Sequence, residues 1–224
     1  MAAERAVELH KSGGLDALLM QGDKVALDAI KGAFRHARDD AAVQGSRVHE
    51  AWEEYLKDRS RLDEIRSDLP ELAVAMFDGV MELTLKYNVD WERSEQTAYN
   101  HDHEYAGTFD GIVTMDTPNG RKRLLVDIKT SKGATRDEYA AQLSSYRYAT
   151  NIVHDDGTEE AMPSVDGCVI FHVRPDEAHV IPVNTDEEVF ASFLTCLSLL
   201  RHTKSDRQLF WPPLPEPEAD KEKQ

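Results

Sequence analysis

The sequence predicts an α/β fold: a mixed central β-sheet flanked by helices, preceded by a helical N-terminal region. Three observations predict it. Apolar residues recur three and four apart over about 16–85, the period drops to two from Trp91 onward, and helical and strand patterns alternate after about residue 135. The strand at 124–128 is almost wholly apolar, which calls for cover on both sides rather than an open face.

The helical part, about 1–90, is carried by LDALL, VALDAIKGAF, VHEAWEEYL and PELAVAMFDGVMEL, with Ser46 read as opening the helix that holds His49. Strands are expected at 94–99 and 105–115 around a polar turn at 100–102, then at 123–130 after a turn at 117–120. A helix over 135–152 follows, then DGCVIFHVRP and AHVIPV as a second hairpin. Thr185 with Glu188 reads as a capping box for a last helix to about Leu200, its apolar face being Val189, Phe190, Phe193, Leu194 and Leu197. Residues 1–211 are thus expected to form one domain, with its core at about 91–200, and the Pro-rich, acidic 212–224 reads as a flexible tail.

Composition narrows the function. At 41% hydrophobic and 30% charged the chain has the make-up of a globular protein, and no apolar run nears the ~18–20 residues of a membrane span. The start, MAAERAVELHKSGG, has no signal-peptide hydrophobic region. Cys168 and Cys196 form neither a disulfide framework nor a metal motif; both read as buried small side chains in a reducing cytoplasm. The net charge of −16 weighs against a nucleic-acid partner, since affinity for DNA comes largely from Lys and Arg neutralising phosphates. Bound divalent ions and a local basic rim would offset it, and Arg121, Lys122, Arg123, Lys129, Lys132, Arg136 and Arg147 either form such a rim or are ordinary surface charges.

The chemistry gathers in GTFDGIV and LLVDIKT. Asp127 and Lys129 are two apart in a strand and leave the same face as Leu125, opposite Leu124, Val126 and Ile128. Asp110 on the neighbouring strand supplies a second carboxylate, a residue type depleted among β-formers. Two carboxylates for a divalent cation with an ammonium beside them are what phosphodiester hydrolysis needs. If the hairpin turns around His101 and Asp102, Glu95 lies opposite Thr108 and shares a face with Asp110, whereas a slip of one residue would reverse this. His101 and His103 bracket the turn and read as solvated. Gln142 and Tyr146, four apart, share a helix face with Tyr139 and Leu143.

In order and pattern, 49–146 resembles the PD-(D/E)xK nuclease superfamily, specifically its RecB-like exonuclease branch, with the CRISPR-associated RecB-like and lambda-type exonucleases. The carriers are His49 in GSRVHEAWEE, Glu95 in SEQTAY, Asp110 in GTFDGIV, Asp127-Ile128-Lys129, and Gln142 to Tyr146 in QLSSY. The resemblance implies a restriction-endonuclease-like core and one or two Mg²⁺ or Mn²⁺ ions held by His49, Asp110, Asp127 and the Ile128 carbonyl. It implies Glu95 as a supporting or second-metal carboxylate, Lys129 orienting or activating the attacking water and stabilising the phosphorane, and Gln142 and Tyr146 touching DNA or the site carboxylates; Lys132 and Arg136, from the basic group, would meet DNA beside them. Many relatives hold an iron–sulfur cluster on four cysteines; two cannot do so, and no cluster is expected.

The implied activity is a DNA exonuclease acting on a free end in recombination, repair or phage DNA metabolism, in the cytoplasm of a bacterium or a phage-infected host. An endonuclease of the same fold, or a catalytically silent nucleic-acid- or protein-binding module, remains open. A recombination or single-strand annealing protein is the partner implied, and a homo-oligomer such as the lambda-type ring trimer is compatible. No Walker A sequence is present to provide a helicase motor.

Overall fold

A computed structural model describes residues 11–133 and 136–203. The tail at 212–224 and the expected helix start at Thr135 lie outside the described residues.

Helices come first: α1 Gly14–Leu19, α2 Asp23–Lys57, a 3₁₀ turn Arg59–Arg61, α3 Leu62–Asp68 and α4 Glu71–Lys86. Ser46 does not open a helix. It lies inside α2, 35 residues long, because 23–57 contains no proline and each glycine there costs a helix only about 1 kcal/mol. A three-stranded meander follows, β1 Asp90–Asn100, β2 Tyr105–Thr117 and β3 Gly120–Lys129, then α5 Asp137–Arg147. The chain closes with β4 Asn151–Val153, β5 Glu159–Ala161, β6 Gly167–Val173, β7 Ala178–Val183 and α6 Glu187–Thr203.

The seven strands form one mixed sheet in the order β5-β4-β1-β2-β3-β6-β7. Only β3 and β6 run parallel, as the crossover through α5 requires, and the other pairings are antiparallel. Leu124, Val126 and Ile128 join the core under α2, α3 and α4, where Trp52 meets Tyr55, Phe77 and Trp91 at ring-centroid distances of 5.2, 5.6 and 5.3 Å. Leu125 joins a second core under α5 with Phe109, Ile112, Leu143 and Tyr146. The expected cover on both sides of β3 is therefore present.

Two sequence expectations fail locally. The 135–152 helix ends at Arg147, because Thr150, Ile152 and Val153 are β-branched and the edge of β1 is free to take them: Tyr99, Ala98 and Thr97 pair with Asn151, Ile152 and Val153. Thr185 is not the cap of α6. It is 1% exposed, with its carbonyl and Oγ1 accepting from Arg147 Nη1 at 3.2 and 3.0 Å, while the Asp186 carboxylate accepts from the Val189 N–H at 3.0 Å. Among the described residues no helix is long and apolar enough to cross a membrane.

Candidate metal and phosphate site

The site is made by a fork in the sheet. The ladder between β2 and β3 runs from Thr117 opposite Gly120 to Gly111 opposite Val126 and stops there, whereas β3 continues to pair with β6 as far as Lys129 opposite His172. The first backbone donor orphaned by the fork is taken by a side chain: the Ile128 N–H donates to Asp110 Oδ2 at 2.5 Å. That bond fixes the Asp110 carboxylate in the mouth of the fork and leaves Oδ1 for another partner.

The partner comes from α2. His49 Nδ1 lies 3.3 Å from Asp110 Oδ1 and 3.7 Å from Glu95 Oε1. Helix α2 comes this close because of Gly45, one turn earlier: a Cβ there would sit 2.7 Å from Thr130 Oγ1, just past the end of β3. Glu95 reaches the site at a conformational cost, with φ of +47°, a left-handed backbone that side chains other than glycine seldom adopt and that typically costs about 1–3 kcal/mol. Its flanking residues pair Ser94 with Gly111 and Gln96 with Phe109, which sets Glu95 opposite Asp110. The turn spans 101–104, so Thr108 faces Thr97 rather than Glu95. The offset from the expected register is two residues, and a slip of two keeps the face.

Asp127 and Lys129 stand across the fork. Asp127 is 3% exposed; Lys129 Nζ lies 3.0 Å from its Oδ1 and 2.8 Å from its Oδ2. Only the first contact has hydrogen-bond alignment, so buried Oδ2 keeps an acceptor without an aligned donor. Burial, then the Asp110 charge, push the Asp127 carboxyl up to about 6 against the pull of Lys129. Burial also works against a charged His49, but the carboxylates of Asp110 and Glu95 overcome it and hold the imidazole protonated up to about 10. The imidazolium is thus the counter-charge to the acidic pair.

His49, Glu95 and Asp110 each place one donor atom within 4.8 Å of the others, a spacing that one cation would span. One imidazole nitrogen with carboxylate oxygens is a donor set that divalent cations accept. Asp127 lies outside that three-residue group, its carboxylate turned towards Lys129.

From the other layer, α5 holds the ammonium. Gln142 Oε1 accepts from Lys129 Nζ at 3.3 Å, and Gln142 Nε2 donates to the Tyr146 hydroxyl at 3.0 Å. Tyr146 lies flat against β2 where Gly107 leaves room, since a Cβ there would fall 2.7 Å from its ring. Tyr139, unassigned by the sequence beyond its shared face, puts its ring centroid 4.7 Å from Lys129 Nζ and its hydroxyl 3.2 Å from Ser131 Oγ. Its spacing, three before Gln142, was the available signal.

The segment after Lys129 is clamped from β6: Arg174 Nη1 donates to the Thr130 carbonyl, and buried His172 Nε2 lies 2.9 Å from the Ser131 carbonyl. Nothing in the sequence pointed to that clamp.

The basic rim is smaller than expected. Arg121, Lys122 and Arg123 begin β3, about 26 Å of extended chain from Lys129 in the case of Arg121. They pair there with Asp90 and Asp116, with Asp166, and with Glu92. Arg147 is spent on Thr185. Lys132 and Arg136 are nearer to Lys129 in the chain and both exposed, Arg136 paired with Glu138 at 3.3 Å and its guanidinium 6.0 Å from the Tyr139 ring. Two smaller expectations change as well: Cys196 is exposed while Cys168 is buried, and His103 is half-buried with its ring 5.8 Å from that of Phe190.

No family model matches the chain, and no curated protein matches it. What the site does is read from its own residues.

Proposed function

We propose that the chain is a divalent-metal-dependent deoxyribonuclease with a PD-(D/E)xK, restriction-endonuclease-like core of the RecB-like branch, acting as an exonuclease on a free DNA end. The observation that carries the reading is the fork after Gly111 and Val126. It gathers His49, Glu95 and Asp110 at one opening, with Asp127 and Lys129 on the adjoining strand end.

In this reading His49, Asp110 and Asp127, with the Ile128 carbonyl, hold the cation, and Glu95 supports it. The ion would polarise the scissile phosphate and ease deprotonation of the attacking water. Asp110 fixes the Ile128 N–H through its Oδ2, and in an extended strand the carbonyl of the same residue leaves towards the same edge, which supports a ligand role for it. Lys129 is kept oriented by Asp127, Gln142 and the Tyr139 ring, which aims one positive charge at the water or at the charge developing on the phosphorane. Lys132 and Arg136 supply the phosphate contacts beside it. The net charge of −16 is then met locally, by the ion and these few cations.

The test is digestion of linear and covalently closed DNA with Mg²⁺ or Mn²⁺, beside Asp127→Ala and Lys129→Ala. Loss of linear DNA alone, abolished in both variants, is expected. Cutting of closed circles would make it an endonuclease. No cutting with either metal, or equal cutting by the variants, would overturn the assignment and favour a silent binding module.

A further inference from the structure

Next to the site lies a groove of about 940 Å³ between α5, α6 and the start of β2. Tyr105, Tyr139, Gln142, Tyr146, Phe193 and Cys196 are among its walls. Three of these continue directly from the proposed phosphate site: Gln142 touches the Lys129 ammonium, Tyr139 lies under it, and Tyr146 is hydrogen-bonded to Gln142. Its volume falls in the range of about 300–1,000 Å³ typical of small-molecule pockets, ample for a nucleobase.

The charges sort what enters. Asp137 and Glu138 are on the wall, Glu138 paired with Arg136 at 3.3 Å, so a phosphate inside the groove would be repelled chiefly by Asp137. Lys129, paired with Asp127, and Arg136, paired with Glu138, flank the Tyr139 ring at 4.7 and 6.0 Å and are the cations that a phosphate at the mouth would meet. Half-buried Tyr139 and Phe193 leave ring surface open to the groove. An apolar, aromatic interior with anions on its wall and cations at its mouth fits a strand whose backbone stays outside while a base turns in. A paired base within a duplex cannot turn in without leaving its stack.

We infer that the groove between α5 and α6 is a nucleobase subsite, which makes the substrate a single strand or an unpaired end, its base seated against Tyr139 and Phe193 and its phosphate at Lys129. The proposal deepens the nuclease reading and rests on it for the placement of the phosphate.

The native chain carries its own probe, because Cys196 is exposed on the groove wall and Cys168 is buried. Alkylation of Cys196 by a maleimide is followed by peptide mass spectrometry, with Ca²⁺ in place of Mg²⁺ so that DNA is bound with turnover slowed. An oligothymidylate of about ten nucleotides should slow Cys196 labelling at least about tenfold at saturation, the scale that one stacked base supplies. An abasic strand of equal length, which keeps every phosphate, should leave labelling nearly unchanged, as should a blunt hairpin duplex. Equal protection by the abasic strand, or no protection by oligothymidylate, overturns the subsite. DNA cutting measured alongside separates the two readings: cutting without protection removes the groove and leaves the nuclease, and protection without cutting does the reverse.

Discussion

Replacing Asp127 by Asn should make the protein more stable and inactive together. Asp127 is buried, and burial with the Asp110 charge, less the attraction of Lys129, lifts its carboxyl from 3.8 to about 6. A carboxyl held above its unfolded value gives its full stability only below pH 3.8 and loses it as pH rises through about 6. Once ionised, a group displaced that far costs the fold on the order of 3 kcal/mol. Asn has the same shape and never ionises, although it gives up the ion pair to Lys129, which retains Gln142 and Tyr139. The net gain at pH 8 should be about 1–3 kcal/mol, a rise of roughly 2–10 °C in Tm for a chain of this size. Urea unfolding without divalent ions at pH 8 and pH 5 measures it, and the gain should fall to roughly half at pH 5, where much of the wild-type carboxyl is already protonated. A variant no more stable than wild type at pH 8, or a gain identical at both pH values, would refute the reasoning.

The His49 imidazole, protonated up to about 10 without metal, must release that proton to become a ligand. Calorimetry of Mn²⁺ binding at pH 7 in buffers of different ionisation enthalpy should therefore show about one proton released per ion, and His49→Gln should remove the release. Adding a Cβ at residue 45 pushes on Thr130 Oγ1 from 2.7 Å. Gly45→Val should lower stability by about 1–3 kcal/mol in denaturant melts and weaken Mn²⁺ binding more than a surface Gly120→Ala does. Tyr139→Phe keeps the ring under Lys129 and should hold kcat within about twofold, while Tyr139→Leu should lose about 0.5–2 kcal/mol of ammonium stabilisation, a 2- to 30-fold fall. Glu95→Gly should raise the unfolding free energy by about 1 kcal/mol through relief of the left-handed backbone while weakening metal binding, both read by melts with and without Mn²⁺.

What the sequence revealed depended on the range of the signal. Alternation along 124–129 put Asp127 and Lys129 on one face, and the 3.6-residue period put Gln142 beside Tyr146, because both are local rules. β4 and β5 escaped notice since each is three residues long and depends on a distant partner, β4 on the side of β1 that β2 leaves open and β5 in turn on β4. The basic residues misled for a different reason. Arg121 and Lys129 are near in sequence, but an extended strand carries them to opposite ends of β3. The fork is of the same non-local kind: nothing in GTFDGIV says that its ladder to β3 stops at Gly111, yet that is what frees the Ile128 N–H for Asp110. Nor does the sequence mark Gly45, whose approach to Thr130 spans the later helices and the whole β1–β3 meander.

The central claim is that the fork between β2 and β3 is a divalent-cation site. A crystal grown with Mn²⁺ and measured at the manganese absorption edge tests it most directly. The account predicts an anomalous peak in bonding contact with His49, Asp110 and Asp127, with Glu95 facing it and Lys129 beside it but not bound. A fork without a peak, or manganese bound only elsewhere on the surface, would contradict it.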